Sequence, residues 1–191
     1  ILDHSKDINL SERQQSKFIS YMKSIKKFTK EFKNDLTEIS SDLYVKLYQE
    51  AGNLIRKTGF IDQFENPYFH PEAVYSLPES INRCIKIIRN IKGKQGTYVT
   101  IDAIRNPYEA KFFKDRYSAF YLVSINASNE DRKNYLQDMH KYTTAQFTRL
   151  DKIESGKFDG DEKDKPLYFD FINQNIKKCS EIADIHIFNP R

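Results

Sequence analysis

Ala119-Phe120-Tyr121-Leu122-Val123-Ser124-Ile125 is almost continuously apolar, broken by one serine. Such a run suits a strand covered on both faces of a parallel sheet, where alternation with polar residues is not needed. Upstream, Thr97-Tyr98-Val99-Thr100-Ile101 is short, β-branched and aromatic, the composition of a strand. Downstream, Asp184-Ile185-His186-Ile187-Phe188 has the same character. Between the first two lies a short helical stretch from Pro107 to about Arg116. Between the last two lie helical patterns from about Asn129 to Arg149 and from Leu167 to Ala183, separated by the polar tract Asp151 to Lys165. Strand, helix, strand, helix, strand is the rhythm of an open parallel sheet with helices on both faces. The spacing predicts an α/β fold with a parallel sheet of at least three strands: Tyr98 to Ile101, Ala119 to Ile125 and Ile185 to Phe188.

Residues 1–60 carry helical signals alone. Ser11 is a helix cap, followed by Phe18, Ile19, Met22, Ile25 and Phe28 at helical spacing and by Lys17, Lys23, Lys26, Lys27, Lys30 and Lys33 on the opposite face. That face reads as a basic surface for phosphate-rich partners or as a solvated face with snorkelling lysines. The second reading fits better, since no arginine or stacking aromatic joins the lysines. A second helix is expected from about Asp35 to Lys57, closed by Gly59. Phe60 to Pro78 is loop-like, with Asn66-Pro67, His70-Pro71 and Leu77-Pro78, and a third helix runs from Glu79 to Ile91. The chain thus divides into a helical N-terminal part, 1–60, and an α/β core, 61–191, within one structural unit.

The 191 residues are 39% hydrophobic and 30% charged, which excludes disorder of the whole chain. Fourteen Phe and twelve Tyr supply ample core material, while six Gly and six Pro are too few for a turn-rich β-sandwich. The net charge of +4 is mild and spread along the chain, so nucleic acid is not an expected partner. Cys84 and Cys179 read as reduced, buried thiols of a cytoplasmic core rather than a disulfide or zinc framework. His4, His70, His140 and His186 are scattered without metal-ligand spacing, so no metal site is expected. No stretch approaches the roughly 20 apolar residues of a membrane span. The start at Ile1-Leu2-Asp3 suggests a piece of something longer.

In an open α/β sheet ligands gather beyond the carboxyl ends of the strands. Asp102-Ala103-Ile104-Arg105-Asn106-Pro107-Tyr108-Glu109 follows the first expected strand. There Asp102 can accept from a ligand hydroxyl or hold a Mg²⁺-bound water, and Arg105 can clamp a phosphate with two parallel hydrogen bonds. Equally open is a structural role, with an aspartate capping the helix and Arg105 pairing Glu109 one turn on. Tyr117, Phe120 and Tyr121 read as core rather than as a platform for bases.

Ile101-Asp102-Ala103-Ile104-Arg105-Asn106-Pro107-Tyr108-Glu109-Ala110 resembles the strand-then-D-G/A-[IVL]-R-N-P-x-E element of P-loop nucleotide kinase-like domains. The resemblance is to the kinase-like half of deoxycytidylate deaminase-related proteins of bacterial phage defence. Gly52-Asn53-Leu54-Ile55-Arg56, Leu77-Pro78 through Ile81-Asn82-Arg83, Arg116-Tyr117-Ser118-Ala119-Phe120-Tyr121-Leu122, and Gln174-Asn175-Ile176 through Asn189-Pro190 fit the same family. Together they cover roughly residues 45–190. The resemblance implies a nucleotide- or phosphate-binding module in which Arg56, with Asn53, and Arg105 face the acceptor side. Arg132 and Arg149 fall where such kinases carry a lid.

Two parts of the family pattern are missing. No G-x-x-x-x-G-K-[ST] loop occurs, so the backbone nest for a triphosphate is absent from this chain. The zinc deaminase signatures H-x-E and P-C-x-x-C do not occur either. The implied role is therefore regulatory, without turnover by these residues alone. Mg-nucleotide and a deaminase zinc would belong to a full-length parent, whose deaminase domain would be the covalent partner, and a homo-oligomer is compatible. Two alternatives stand beside this reading. One is a deoxynucleoside monophosphate kinase whose Walker A loop lies elsewhere. The other is a protein-interaction module that uses the basic helix from Ser11 to Lys33.

Overall fold

The computed structural model describes residues 8, 10–62, 65, 68–93 and 95–189. His4, the Asn66-Pro67 pair and Pro190 lie outside the described residues. The chain runs as α1 (Glu12–Ile39), α2 (Leu43–Thr58), a 3₁₀ turn (Pro71–Tyr75), α3 (Ser76–Lys92), α4 (Pro107–Arg116) and β1 (Val123–Asn126). It continues as α5 (Asn129–His140), α6 (Thr144–Glu154), a 3₁₀ turn (Glu162–Asp164), α7 (Phe169–Ile172), α8 (Ile176–Glu181) and β2 (Ile185–Phe188).

Local chemistry explains most boundaries. The Ser11 hydroxyl accepts from the Gln14 amide while the Gln14 side chain accepts from the Ser11 N–H, which opens α1. Nothing at Asn34-Asp35 stops that helix, so it runs on to Ile39 before Ser40 turns extended. Gly59, at φ 86°, closes α2 in the left-handed region where a Cβ is costly. The expected helix over Asn129 to Arg149 is two helices. Lys141 adopts φ 57° after α5, and Thr143 then caps α6 through a reciprocal pair with Gln146. The break turns Tyr142 into the interior. The helix expected over Leu167 to Ala183 is likewise interrupted, with Asn175 capping α8.

The expectation of a sheet of at least three strands is corrected by the structure. The fold is 64% helical, with two strands among the described residues. β1 and β2 pair in parallel, Val123 against Ile185 through Asn126 against Phe188. Asp184 starts this ladder: its N–H donates to the Leu122 carbonyl and its carboxylate accepts from the Leu122 N–H at 2.7 Å. The Lys114 ammonium beside Asp184 holds that carboxyl below the usual range.

Thr97 to Ile101 takes no strand conformation. Its β-branched and aromatic residues favour extended backbone, yet a strand exists through its ladder, and no described strand pairs with it. Ile101 drops into the core while Tyr98 stands fully in solvent. The apolar runs also do not mean double coverage, since Val123, Ile125, Ile185, Ile187 and Phe188 are all exposed.

The core sits instead between helices. Ile85 of α3 and Phe112 and Phe113 of α4 form its centre, with Ile81, Ile101, Ile104, Tyr117 and Phe120 packed around them. Tyr117 and Phe120 are thus core, as their apolar setting in the sequence indicates, whereas Tyr121 is exposed. Cys179 is buried and Cys84 half-buried. Burial pushes the Cys179 thiol up to about 12, so it carries no thiolate at neutral pH.

Candidate functional site

The connection into α4 is organised by Asn106, which has no exposed surface. Its Oδ1 accepts from the Tyr108 N–H at 2.9 Å, capping the helix that Pro107 begins. Its amide donates to the carbonyls of Phe171 and Asn173, each at 2.9 Å, tying α4 to the α7 segment. The cap is therefore Asn106. Asp102 lies exposed in the turn before it, away from any strand end.

Arg105 does not pair with Glu109. Its Nη1 donates to Glu154 Oε1 at 2.7 Å, across to the end of α6. Glu154 Oε2 accepts from Nη2 of Arg132 at 3.0 Å, and Nη1 of Arg132 donates to Asp151 at 2.7 Å. The Arg132 guanidinium also lies over the Phe147 ring, 5.1 Å from its centroid. Two guanidiniums from separate elements thus share one carboxylate, and the Glu154 side chain is only 15% exposed.

Arg149, on α6, pairs with Asp42 at 3.2 Å. Burial works against the Asp42 carboxylate, but the Ser40 hydroxyl, the Gln146 amide and the Arg149 guanidinium overcome it and hold its pKa low. Buried Tyr142 lies within the field of both groups. Burial raises its phenol, the Asp42 and Glu154 carboxylates add to the rise, and Arg149 and Arg105 oppose it. Tyr142 thus lies within the field of Arg105 and Arg149; Arg105 and Arg132 of α5 meet at Glu154 on the end of α6, and Arg149 of that helix pairs with Asp42. Each of the three arginines keeps part of its side chain open to solvent.

Arg56 and Asn53 lie elsewhere. The Arg56 Nε donates to Glu109 Oε1 at 2.7 Å, and its Nη1 donates to the Ile172 carbonyl at 3.2 Å and to Asn53 Oδ1 at 3.3 Å. Asn53 in turn donates to Asn173 at 3.0 Å. Gly52 gives the guanidinium room, since a Cβ there would lie 3.3 Å from Arg56 Nη1. The Gly-Asn-x-x-Arg element is an interior tie joining α2, α4 and α7.

Glu154, Asp42 and Tyr142 carry no sequence signal of their own: each is one carboxylate or phenol among many, and pairing between residues distant in sequence is set by packing. Glu109 is marked by the Arg-Asn-Pro-x-Glu element, yet its partner is Arg56 rather than Arg105. A second feature adjoins the cluster. Asn175, whose N–H donates to the Arg105 carbonyl at 2.8 Å, lines a cleft of about 320 Å³. Tyr108, Lys111, Lys114 and Lys178 also line it. Among the described residues no three His, Cys, Asp or Glu side chains converge as a metal site, and no helix is long and apolar enough to cross a membrane.

Gly156 holds the end of α6 in place. It sits at φ 69°, and a Cβ there would lie 2.9 Å from both the Gln174 carbonyl oxygen and Asn175 Nδ2. Gly156→Ala should cost about 2–3 kcal/mol, combining left-handed strain with a clash against backbone that cannot rotate away. Chemical denaturation would read this, and a change below about 0.5 kcal/mol, the usual scale of an inert surface substitution, would contradict the close approach.

Searches against protein-family models, curated proteins and solved structures give no match to this chain. The class the fold defines is a helical protein with a two-stranded parallel sheet, carrying an arginine cluster at α5 and α6.

Proposed function

We propose that this chain is a nucleotide-binding module that regulates, rather than performs, turnover in a larger protein of the deoxycytidylate-deaminase defence type. The observation that carries the reading is the convergence of Arg105 and Arg132 on Glu154. Guanidiniums recognise phosphate with paired hydrogen bonds, and here Arg132 of α5 and Arg105, in the connection before α4, already meet at one carboxylate. The Glu154 and Asp151 oxygens accept from the same N–H groups that phosphate oxygens would engage. Asp151 is more than half exposed and is the partner most easily displaced from Arg132. The motif resemblance over residues 45–190 points to the ligand class, a nucleotide or another phosphorylated ligand. In such a parent, zinc chemistry and any Mg-nucleotide turnover belong to other segments.

Arg105→Lys keeps the charge but loses the fork. Binding of dCMP or dCTP, measured by calorimetric titration, should weaken by about 1–3 kcal/mol, the scale of a charge-assisted hydrogen bond. A thermal melt of the same variant should change little, because the pair with Glu154 is partly exposed and a lysine can replace it. Unaltered nucleotide binding by the variant would reduce Arg105 to a structural tie. So would no binding by the parent chain.

A further inference from the structure

The Arg132 guanidinium lies along one face of α6. It covers the Phe147 ring, and its two terminal nitrogens reach Asp151 and Glu154, four and seven residues further along that helix. Arg105, from the connection before α4, donates to the other Glu154 oxygen. Each carboxylate oxygen of Glu154 therefore holds one arginine. The four side chains carry two positive and two negative charges.

Charges that sum to zero draw no anion from a distance. A phosphate gains these guanidinium hydrogen bonds only by taking them from the carboxylates. The two carboxylates do not stand equal. Asp151 is more than half exposed and accepts one bond of the cluster, whereas Glu154 is largely buried and accepts two. The backbone next to Glu154 is pinned, because Gly156 has no room for a Cβ beside the Gln174 carbonyl. Opening the cluster is thus a rotation of the Glu154 side chain rather than a shift of α6.

We infer that Glu154 is an internal competitor for phosphate, occupying the Arg105 and Arg132 guanidiniums until a phosphorylated ligand displaces it. This regulation belongs to the nucleotide site proposed above and rests on that reading. A purely supporting Glu154, holding the two arginines in place for the ligand, has the opposite consequence. Removing the charge of a competitor strengthens binding, and removing a support weakens it.

Glu154→Gln keeps the shape and an oxygen acceptor and loses the charge. In calorimetric titration with dCTP, the full chain carrying this change should bind about tenfold more tightly than the parent, with an unchanged circular dichroism spectrum. Its cluster then has a net positive charge, so its affinity should fall more steeply with salt than the parent's. Asp151→Asn, at an exposed side chain on which the fold does not depend, should tighten binding about threefold, the scale of one exposed ion pair. Arg105→Lys added to Glu154→Gln should remove most of the gain, which ties that gain to this cluster. No tightening by Asp151→Asn, or equal or weaker binding by a folded Glu154→Gln chain, overturns the proposal, while binding by the parent leaves the nucleotide reading standing. A gain that survives Arg105→Lys also overturns it, by placing the ligand elsewhere. Binding of dCTP by neither the parent nor the variants removes the nucleotide reading and the competitor role together.

Discussion

Arg56→Ala should destabilise the protein by about 3–5 kcal/mol, the cost of stripping one member from a buried ion pair. The Arg56 and Glu109 side chains are 6% and 10% exposed, and their contact is 2.7 Å. Removing the guanidinium leaves the Glu109 carboxylate without its counterion in a setting water does not reach. It also strands the Ile172 carbonyl and Asn53 Oδ1, which accept from the same group. Urea unfolding monitored by circular dichroism measures the loss. The double variant Arg56→Met with Glu109→Met should cost much less than the two single changes together, since no uncompensated charge remains. A single-variant loss under about 1 kcal/mol would refute the buried pair, because that is the range of exposed ones. Arg56 could then be returned to the ligand-binding set.

Phe113→Ala should cost a similar amount, about 3–5 kcal/mol, through lost transfer energy and the cavity left behind. Phe113 is 1% exposed. Its ring meets Phe112 edge-on at 5.3 Å and lies against Phe120 at 5.6 Å and Tyr117 at 6.3 Å. Tyr117 links this cluster to α3 by donating its hydroxyl to Asn82 at 2.6 Å. The melting temperature should fall by roughly 10 °C, given the usual entropy of unfolding at this size. Phe113→Leu keeps most of the volume and should lose under about 1.5 kcal/mol. Equal melting of the alanine and leucine variants would place the core elsewhere.

Helices were legible because their signals are local. Capping at Ser11, the Pro107 start of α4 and the glycine stop at Gly59 each need a few neighbouring residues, although the cap before Pro107 is Asn106 and not the aspartate expected there. The arginines were also legible as residue types suited to phosphate. What they touch was not. Arg105 and Glu109 lie one helical turn apart in sequence, yet Arg105 pairs with Glu154 and Glu109 with Arg56. Two of the six expected site residues, Arg56 and Asn53, form an interior tie, while Arg105 and Arg132 meet at Glu154, Arg149 pairs with Asp42 and Asp102 stands exposed.

By itself the sequence determined where α1, α4 and α5 begin, where Gly59 ends α2, and which residues are apolar enough for strands, but not the breaks that separate α1 from α2, α5 from α6 and α7 from α8. Strand formation needed tertiary structure, because a ladder is made by a partner and not by a propensity. Val123 to Asn126 found that partner in Ile185 to Phe188, sixty residues on, with Asp184 fixing the register. Thr97 to Ile101, with equal propensity, has no described partner strand and contributes Ile101 to a helical core instead. The same holds for charge: the sequence supplied the guanidiniums, and packing alone chose which became a buried tie and which stayed within reach of solvent.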